Sequence, residues 1–309
     1  MAKLEVLGHH TVYRNPHPNR VSEYVAFPAV RALPDDTLLC MCRHGTARES
    51  DDGVVKVHRS TDGGMSWEPT GALPDPANVP PGMRNPGGFG LPADGDVIAW
   101  AAYPAGGQGE SGQLTWRSSD GGLTWSGPEQ VDTAPYESIG VGGNLATLGD
   151  GTLVGASEWG NETSDEPDGI MPDWAALVST SADNGMTWSP WRLAHGPRAD
   201  GTYFFDLRIC RLPDDRLLAV YWTHDMVRDV GLNVHLSWSS DRGQTWTDPH
   251  DGGFWGQVTS VAALRSGRVV AVTNHRRDPF GVRALLSDDD GARFDEADHL
   301  VAARLGLDE

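Results

Sequence analysis

The residues of this chain that could act on a ligand follow the ends of apolar runs. Such runs predict strands, and the side chains that follow them lie on connections where binding sites are built. Tryptophan and tyrosine faces stack on sugar rings, and arginine binds carboxylates. The residues in question are Arg43 and His44, Tyr103, Glu158 and Trp159, Trp222 and His224, and His275 and Arg276. We predict that they form the rim of one site, together with Arg84 at the start of an inner strand.

The strands that would position this rim come in five hairpins. In each hairpin an apolar run is followed by a tight turn rich in Asp and Gly and then by a second apolar run. A third strand follows each hairpin, and a fourth begins soon after it. The hairpins begin near Phe27, Gly88, Gly142, Leu207 and Ser260. Four-stranded antiparallel units that repeat along a chain predict the blades of a β-propeller.

A short motif closes the third strand of each unit. Its first copy, RSTDGGMSW, spans Arg59 to Trp67, and the shared pattern is Ser-x-Asp-x-Gly-x-x-aromatic. The five aspartates are at positions 62, 120, 183, 241 and 289. Asp accepts backbone hydrogen bonds in tight turns and Gly permits positive φ, so the motif predicts a structural turn. Both tight turns of a unit then lie on one face, and we expect the site on the opposite face, which carries the long connections.

The motif is similar to the Asp box, or BNR repeat, of the sialidase (neuraminidase) superfamily, and the resemblance covers nearly the whole chain. It implies an all-β fold, a β-propeller of four-stranded antiparallel blades in a six-bladed family. Five blades can be counted, and we expect the sixth to be incomplete. Residues 3–13 (KLEVLGHHTVY) are expected to form the outer strand of that closing blade. Residues 1–309 are expected to form a single propeller domain.

The resemblance also implies catalytic residues. Sialidases place an acid/base Asp in the loop before the first Asp box, where this chain has Asp51 and Asp52, and we take Asp52 as the candidate. Asp206 has the spacing of the family Glu that is paired with a tyrosine nucleophile. Arg208 follows two residues later and faces the same side of the strand. Glu158 is the alternative partner carboxylate.

The chain departs from the family at its arginines. Ala26 and Trp222 stand where sialidases carry two of the arginines that bind the substrate carboxylate. Arg84 has the equivalent place in the second blade, and Arg43 and Arg276 are further candidates for substrate binding. The tyrosine nucleophile of the family belongs to the sixth blade. These departures argue against neuraminidase activity itself.

Three functions remain open at this point. The first is a sialidase-like glycoside hydrolase that acts on an acidic sugar at the central mouth of the propeller, with Asp52 as acid/base and Asp206 or Glu158 as its partner. The second is a polysaccharide lyase on a uronate, which needs a base beside an arginine. The candidate bases are His224, His44 and Tyr221. The third is a glycan-binding propeller without catalysis.

Composition restricts the partners. The formal net charge of −19 argues against nucleic acid and against an anionic membrane surface. The three cysteines and the histidines show no metal-ligand spacing, and no dinucleotide or phosphate loop precedes a helix. We therefore expect a carbohydrate partner, no cofactor and no metal. No long apolar segment is present, so a cytoplasmic location is expected. The sequence leaves the oligomeric state open.

Overall fold

The computed structural model describes residues 4–48, 50–74, 85–103, 111–140, 143–160, 174–294 and 300–304. All regular secondary structure in these ranges is β-strand, arranged in five antiparallel sheets. Within the same ranges there is no helix with the length and apolar character to cross a membrane.

Each sheet follows the chain order from its inner strand outward. The first contains β1 (Tyr24–Ala32), β2 (Leu38–Gly45), β3 (Val54–Ser60) and β4 (Glu68–Ala72). The second contains β5 (Asn85–Gly90), β6 (Val97–Tyr103), β7 (Gly112–Ser118) and β8 (Ser126–Val131). The third contains β9 (Leu145–Thr147), β10 (Leu153–Trp159), β11 (Ala175–Ser181) and β12 (Arg192–His195).

The fourth sheet has one additional short strand. It contains β13 (Thr202–Arg211), β14 (Leu217–Asp225), β16 (His235–Ser239) and β17 (His250–Asp251), and β15 (Val230–Gly231) pairs with β14. The fifth contains β18 (Gln257–Ala263), β19 (Val269–His275), β20 (Gly281–Ser287) and β21 (Leu300–Arg304). The four-stranded antiparallel blades expected from the hairpin repeat are therefore present.

Contacts divide the chain into two compact units. The N-terminal unit comprises Gly8–Gly155 and Ser179–Trp191, and its core includes Leu39, Met41 and Trp116. The C-terminal unit comprises Met1–Leu7, Ala156–Val178 and Arg192–Glu309, and its core includes Leu218, Phe254 and Phe294. Both cores are built from alternate residues of the strands, as expected for packed sheets. The single domain predicted from the sequence remains a prediction.

The Asp boxes are turns stabilised by their own side chains. In the first copy the Ser60 hydroxyl donates to Asp62 Oδ1 over 2.8 Å, and the same oxygen accepts the Ser66 N–H over 2.9 Å. Hydrogen bonds from Ser66 and Ser60 lower the pKa of Asp62 to about 2. Asp120 and Asp183 form the same bonds in the next two copies. The motif therefore maintains the turn between the third and fourth strands.

The inner strands of three blades share a β-bulge at one position. Pairing shifts between Ala26 and Ala29 in β1, between Phe205 and Arg208 in β13, and between Gln257 and Thr259 in β18. The bulges contain residues with positive φ, namely Phe27 at 55°, Asp206 at 53° and Val258 at 50°. A bulge changes the direction in which side chains project, and positive φ is unfavourable for Phe and Val. The repeated backbone therefore imposes this conformation on three different side chains.

The expected outer strand near the N-terminus is absent. Residues 4–23 form no strand, although 3–13 had been predicted as the edge of a closing blade. Its position before the first inner strand suggested the outer strand of a closing blade, but no described strand pairs with it. Its Tyr13 side chain instead packs against His44 of β2, with ring centroids 4.6 Å apart.

Candidate functional site

The bulge in β13 presents Asp206. The φ of 53° lies in the left-handed region, which Asp tolerates better than most residues. About a quarter of the side chain is exposed, and its Oδ1 lies 3.8 Å from Nη2 of Arg208. Arg208 also donates through Nη1 to the carbonyl of Leu207 over 3.0 Å. The bulge thus places a partly exposed carboxylate beside a guanidinium, as the spacing of the two residues had predicted.

Glu158, near the end of β10, binds the backbone of the same bulge. Its side chain is buried, and Oε1 accepts the N–H of Leu207 over 2.8 Å. The backbone of Asp206 also lowers the pKa of this carboxyl. A side chain from the preceding blade therefore satisfies a backbone amide of the bulge. Glu158 and Asp206, chosen separately from the sequence, belong to one cluster.

The environment of Glu158 favours its protonated form. Burial raises the pKa of this carboxyl well above 4.5, and the negative charge of Asp206 raises it further. Arg208 and the backbone of the bulge oppose these effects but do not outweigh them. A protonated carboxyl next to a more exposed one is an arrangement that can divide the acid and base roles of a reaction.

Aromatic rings surround the same bulge. Phe205 packs against Trp174, Trp222 and Tyr203, with ring centroids 4.9, 5.3 and 5.9 Å apart. The indole N–H of Trp222 is buried and has no hydrogen-bond partner among the described residues. Aromatic faces beside carboxylates are typical of sugar-binding surfaces, because sugars present both C–H faces and hydroxyl groups.

Of the other predicted residues of the C-terminal unit, His224 contacts the aromatic rings around the bulge. His224 is within 3.0 Å of Asp229 and packs edge-on against Trp222 at 6.4 Å. His275 is buried, with Nδ1 3.0 Å from the carbonyl of Arg277. Arg276 is exposed, and Trp159 is half-buried after Glu158.

Tyr221, a candidate base for a lyase, is fully buried. Burial raises the pKa of its hydroxyl far above 10, which disfavours the phenolate that could accept a proton. The structure therefore contradicts the role of base for this residue, because it packs in the core.

Arg43 has a structural environment that differs from the substrate-binding role predicted for it. Its side chain is fully buried, and its guanidinium donates to the carbonyls of Ala47 and Ser50 over 2.7 and 2.6 Å. A Cβ added to Gly53 would lie 2.3 Å from this guanidinium, which shows how closely the loop packs on it. The sequence placed Arg43 correctly near the end of β2, but the following loop folds over it.

Asp52 and His44 line one cleft of the N-terminal unit. The cleft has a volume of about 310 Å³ and opens beside the β2–β3 connection. The exposed carboxylate of Asp52 accepts the N–H of Thr46 over 3.0 Å and its hydroxyl over 3.2 Å. Hydrogen bonds from Ser50 and Thr46 lower the pKa of Asp52, so the ionised form is favoured. This environment suits a base or a hydrogen-bond acceptor better than a proton donor.

Sequence reasoning missed three other residues of this cleft. Glu23 Oε2 accepts the Tyr13 hydroxyl over 2.5 Å, and Oε1 lies 2.9 Å from Nδ1 of His44 and 3.2 Å from Nζ of Lys56. Burial raises the pKa of Glu23, but these hydrogen bonds outweigh it and lower the pKa to about 2. The hydrogen bond to Glu23, followed by burial, raises the pKa of Tyr13 to about 12. Tyr13 and Glu23 precede β1, outside the repeated unit on which the sequence analysis relied.

The sequence matches the family model of the BNR repeat-like domain over residues 28–305. The chain belongs to the BNR repeat-like family. This match confirms the repeat that was inferred from the five Asp boxes.

Solved structures share the fold of this BNR repeat-like chain at low identity. A protein of unknown function from Dyadobacter fermentans has a TM-score of 0.75 and 19% identity, over 96% of this chain and 86% of its own. A Hadza microbial sialidase has a TM-score of 0.65 and 20% identity, over 91% and 59%. An α-L-arabinofuranosidase from Fusarium graminearum has a TM-score of 0.61 and 16% identity, over 91% and 80%. The chain therefore spans 59% of the length of the sialidase.

The family match and these likenesses confirm the predicted fold class of the BNR repeat-like protein, an all-β propeller of four-stranded antiparallel blades. The two candidate sites described above belong to different units of the chain. Arg84, predicted to bind substrate, lies outside the described residues. In the described ranges no three His, Cys, Asp or Glu side chains converge as metal ligands.

Proposed function

We propose that this BNR repeat-like protein is a glycoside hydrolase that acts on an acidic sugar, with Asp206 and Glu158 as its carboxyl pair. The observation that carries the proposal is the buried Glu158 bound to the bulge that presents Asp206. Glycoside hydrolases use two carboxyl groups in different protonation states. Two neighbouring carboxyls with unequal environments supply such a pair.

The roles follow from exposure. Asp206 is the more exposed member and is the group that contacts the sugar, as base or nucleophile. Burial favours the protonated form of Glu158 beside it, and the Glu158 carboxyl fixes the bulge by accepting the N–H of Leu207. Arg208 supplies positive charge for a substrate carboxylate, and Trp222 supplies an aromatic face. The sialidase and arabinofuranosidase that share the fold support a sugar as substrate.

The experiment is a screen of aryl glycosides of sialic acid, uronic acids and neutral sugars. For the class that is turned over, Asp206→Asn and Glu158→Gln are expected to lower kcat by about 100-fold or more. Asp288→Asn is the matched control, because Asp288 is an exposed carboxylate that pairs with Arg268 on the surface. Turnover that survives Asp206→Asn would exclude this carboxyl pair.

Asp52 needs a separate test. The resemblance to sialidases assigned it the acid/base role, whereas Glu158 supplies a partner for Asp206 within one unit. If Asp52→Asn abolishes turnover and Glu158→Gln does not, the pairing predicted from the resemblance is the correct one. If only Glu158→Gln abolishes it, the pair proposed here is correct.

Glycan binding without turnover is the second candidate function. It is favoured by the burial of Glu158 and by Ala26 and Trp222 at two positions where sialidases carry arginine. Binding of an acidic glycan by the folded chain, without formation of any product, would favour this function.

A uronate lyase would be distinguished by an unsaturated product that absorbs in the ultraviolet. The cytoplasmic location stays a prediction.

A further inference from the structure

The cleft of the N-terminal unit contains polar groups that the proposed reaction at Asp206 does not use. Its lining includes Tyr13, Glu23, His44, Asp52 and Lys56. Its volume of about 310 Å³ is at the lower end of the range of small-molecule sites, which is about 300–1,000 Å³. Val21 and Val54 add apolar surface to the same walls. The cleft therefore offers both polar and apolar contacts to a ligand of modest size.

The polar groups are held in place before any ligand binds. Glu23 is fixed by donors from three directions, Tyr13, His44 and Lys56. Asp52 is fixed by the backbone and hydroxyl of Thr46. Preorganised groups increase affinity because little conformational freedom is lost on binding. These contacts indicate a built site rather than a chance group of mobile surface side chains.

Several of these groups retain hydrogen-bonding capacity. A carboxylate offers about four acceptor positions, and a lysine ammonium offers three donors. Lys56 is about one-third exposed and is paired with Glu23. His44 is about 98% buried and lines the cleft, and its Nε2 has no hydrogen-bond partner among the described residues. A ligand with hydroxyl groups, which both donate and accept, could bond to all three kinds of group.

The charge of the cleft selects against an anion. Glu23 and Asp52 contribute two negative charges, and Lys56 contributes one positive charge. Burial lowers the pKa of His44, so the ring is neutral at neutral pH. An anionic sugar would meet a net negative surface here, in contrast to the Arg208 guanidinium beside Asp206.

We propose that this cleft is a second carbohydrate site, which binds an uncharged sugar. The hydroxyls of the sugar bond to Glu23, Asp52 and Lys56, and its C–H face packs on the apolar walls. The site lies in a different unit from Asp206 and Glu158.

The test is calorimetric titration with a panel of neutral methyl hexosides and pentosides, and with methyl glucuronide as the anionic comparison. We expect at least one neutral glycoside to bind, and Asp52→Asn and Glu23→Gln each to weaken that binding by about tenfold or more. Asp52 is exposed, so its variant is expected to fold normally. Glu68→Gln is the matched control, because Glu68 is an exposed carboxylate of the same blade outside the cleft.

The outcomes separate this site from the proposed function. Binding of the neutral glycoside that persists in Asp206→Asn, together with turnover that survives Asp52→Asn, supports a separate site. Turnover abolished by Asp52→Asn would make the cleft part of the active site and would overturn the proposal. Binding lost in Asp206→Asn but kept in Asp52→Asn would overturn the proposal. So would preferential binding of methyl glucuronide that depends on Lys56, or no neutral glycoside binding at all.

Discussion

Replacement of Glu158 by glutamine is expected to change how stability depends on pH. Glutamine has nearly the same shape, and its amide oxygen can accept the Leu207 N–H that Glu158 Oε1 accepts over 2.8 Å. The difference is that the carboxyl of Glu158 titrates and the amide does not. Because its pKa in the folded state is raised above 4.5, the folded chain retains a proton that the unfolded chain releases.

The sign and the size of the effect follow from this difference. The contribution of Glu158 to the stability of the wild type should be constant below the unfolded pKa and should fall as the pH rises from there to the folded pKa. Within that window a single proton contributes about 1.4 kcal/mol per pH unit. Glu158→Gln lacks this dependence, so its stability relative to the wild type should increase as the pH rises. The gain ends once the carboxyl is ionised in both states.

The assay is urea unfolding followed by tryptophan fluorescence at a series of pH values from about 4 to about 8. The quantity of interest is the difference in unfolding free energy between Glu158→Gln and the wild type. Asp288→Asn serves as the control for the loss of one ordinary surface carboxylate. A difference that is constant, or that favours the wild type as the pH rises, would show that Arg208 and the bulge amides keep Glu158 ionised. The reasoning about burial would then be refuted.

Three other changes test the remaining contacts. Arg43→Ala should lower the free energy of unfolding in urea by about 3 kcal/mol or more, because the loop carbonyls lose a buried guanidinium. Proteolysis at 46–53 should also become faster, and an unchanged rate would contradict this reasoning. The wild type should lose stability between about pH 10 and about pH 12, because the pKa of Tyr13 is raised to about 12 in the folded state. Tyr13→Phe should remove this loss in thermal unfolding in alkali. An alkaline profile identical to that of the wild type would count against the hydrogen bond to Glu23. Asp183→Ala should lower the free energy of unfolding in urea by about 1–2 kcal/mol, because the hydrogen bonds to Ser181 and Thr187 are lost. An effect no larger than that of Asp288→Asn would argue against a structural role for the Asp-box turn.

The fold could be predicted because its signals are local and repeated. A hairpin such as Leu33–Leu38 and a turn such as Ser60–Trp67 each depend on residues a few positions apart, and five copies made the pattern unambiguous. The residues at the strand ends were therefore placed correctly along the chain. Glu158, for example, was predicted at the end of a strand and is found near the end of β10.

The contacts between elements could not be predicted in the same way. The bond between Glu158 and the bulge amides joins residues 49 positions apart, and no repeat encodes it. Arg43 could be placed near a strand end, but only the course of the following loop determines that it is buried. Tyr13 ends the segment that was interpreted as a strand, and Glu23 lies between that segment and β1, so their pairing with His44 and Lys56 was not foreseen. Spacing predicts elements, whereas long-range packing decides which polar groups meet.

The shared bulge of the inner strands has a consequence for how such chains can change. Phe27, Asp206 and Val258 each lie six residues before the leucine that begins the hairpin turn, and each has the same unusual backbone conformation. One is aromatic, one is acidic and one is aliphatic, so the backbone at this position does not depend on the chemistry of its side chain. A single substitution at such a position can add or remove a reactive group without a new fold around it. The repeated blade can therefore keep its backbone structure while the side chain at this position, and any activity that depends on it, changes.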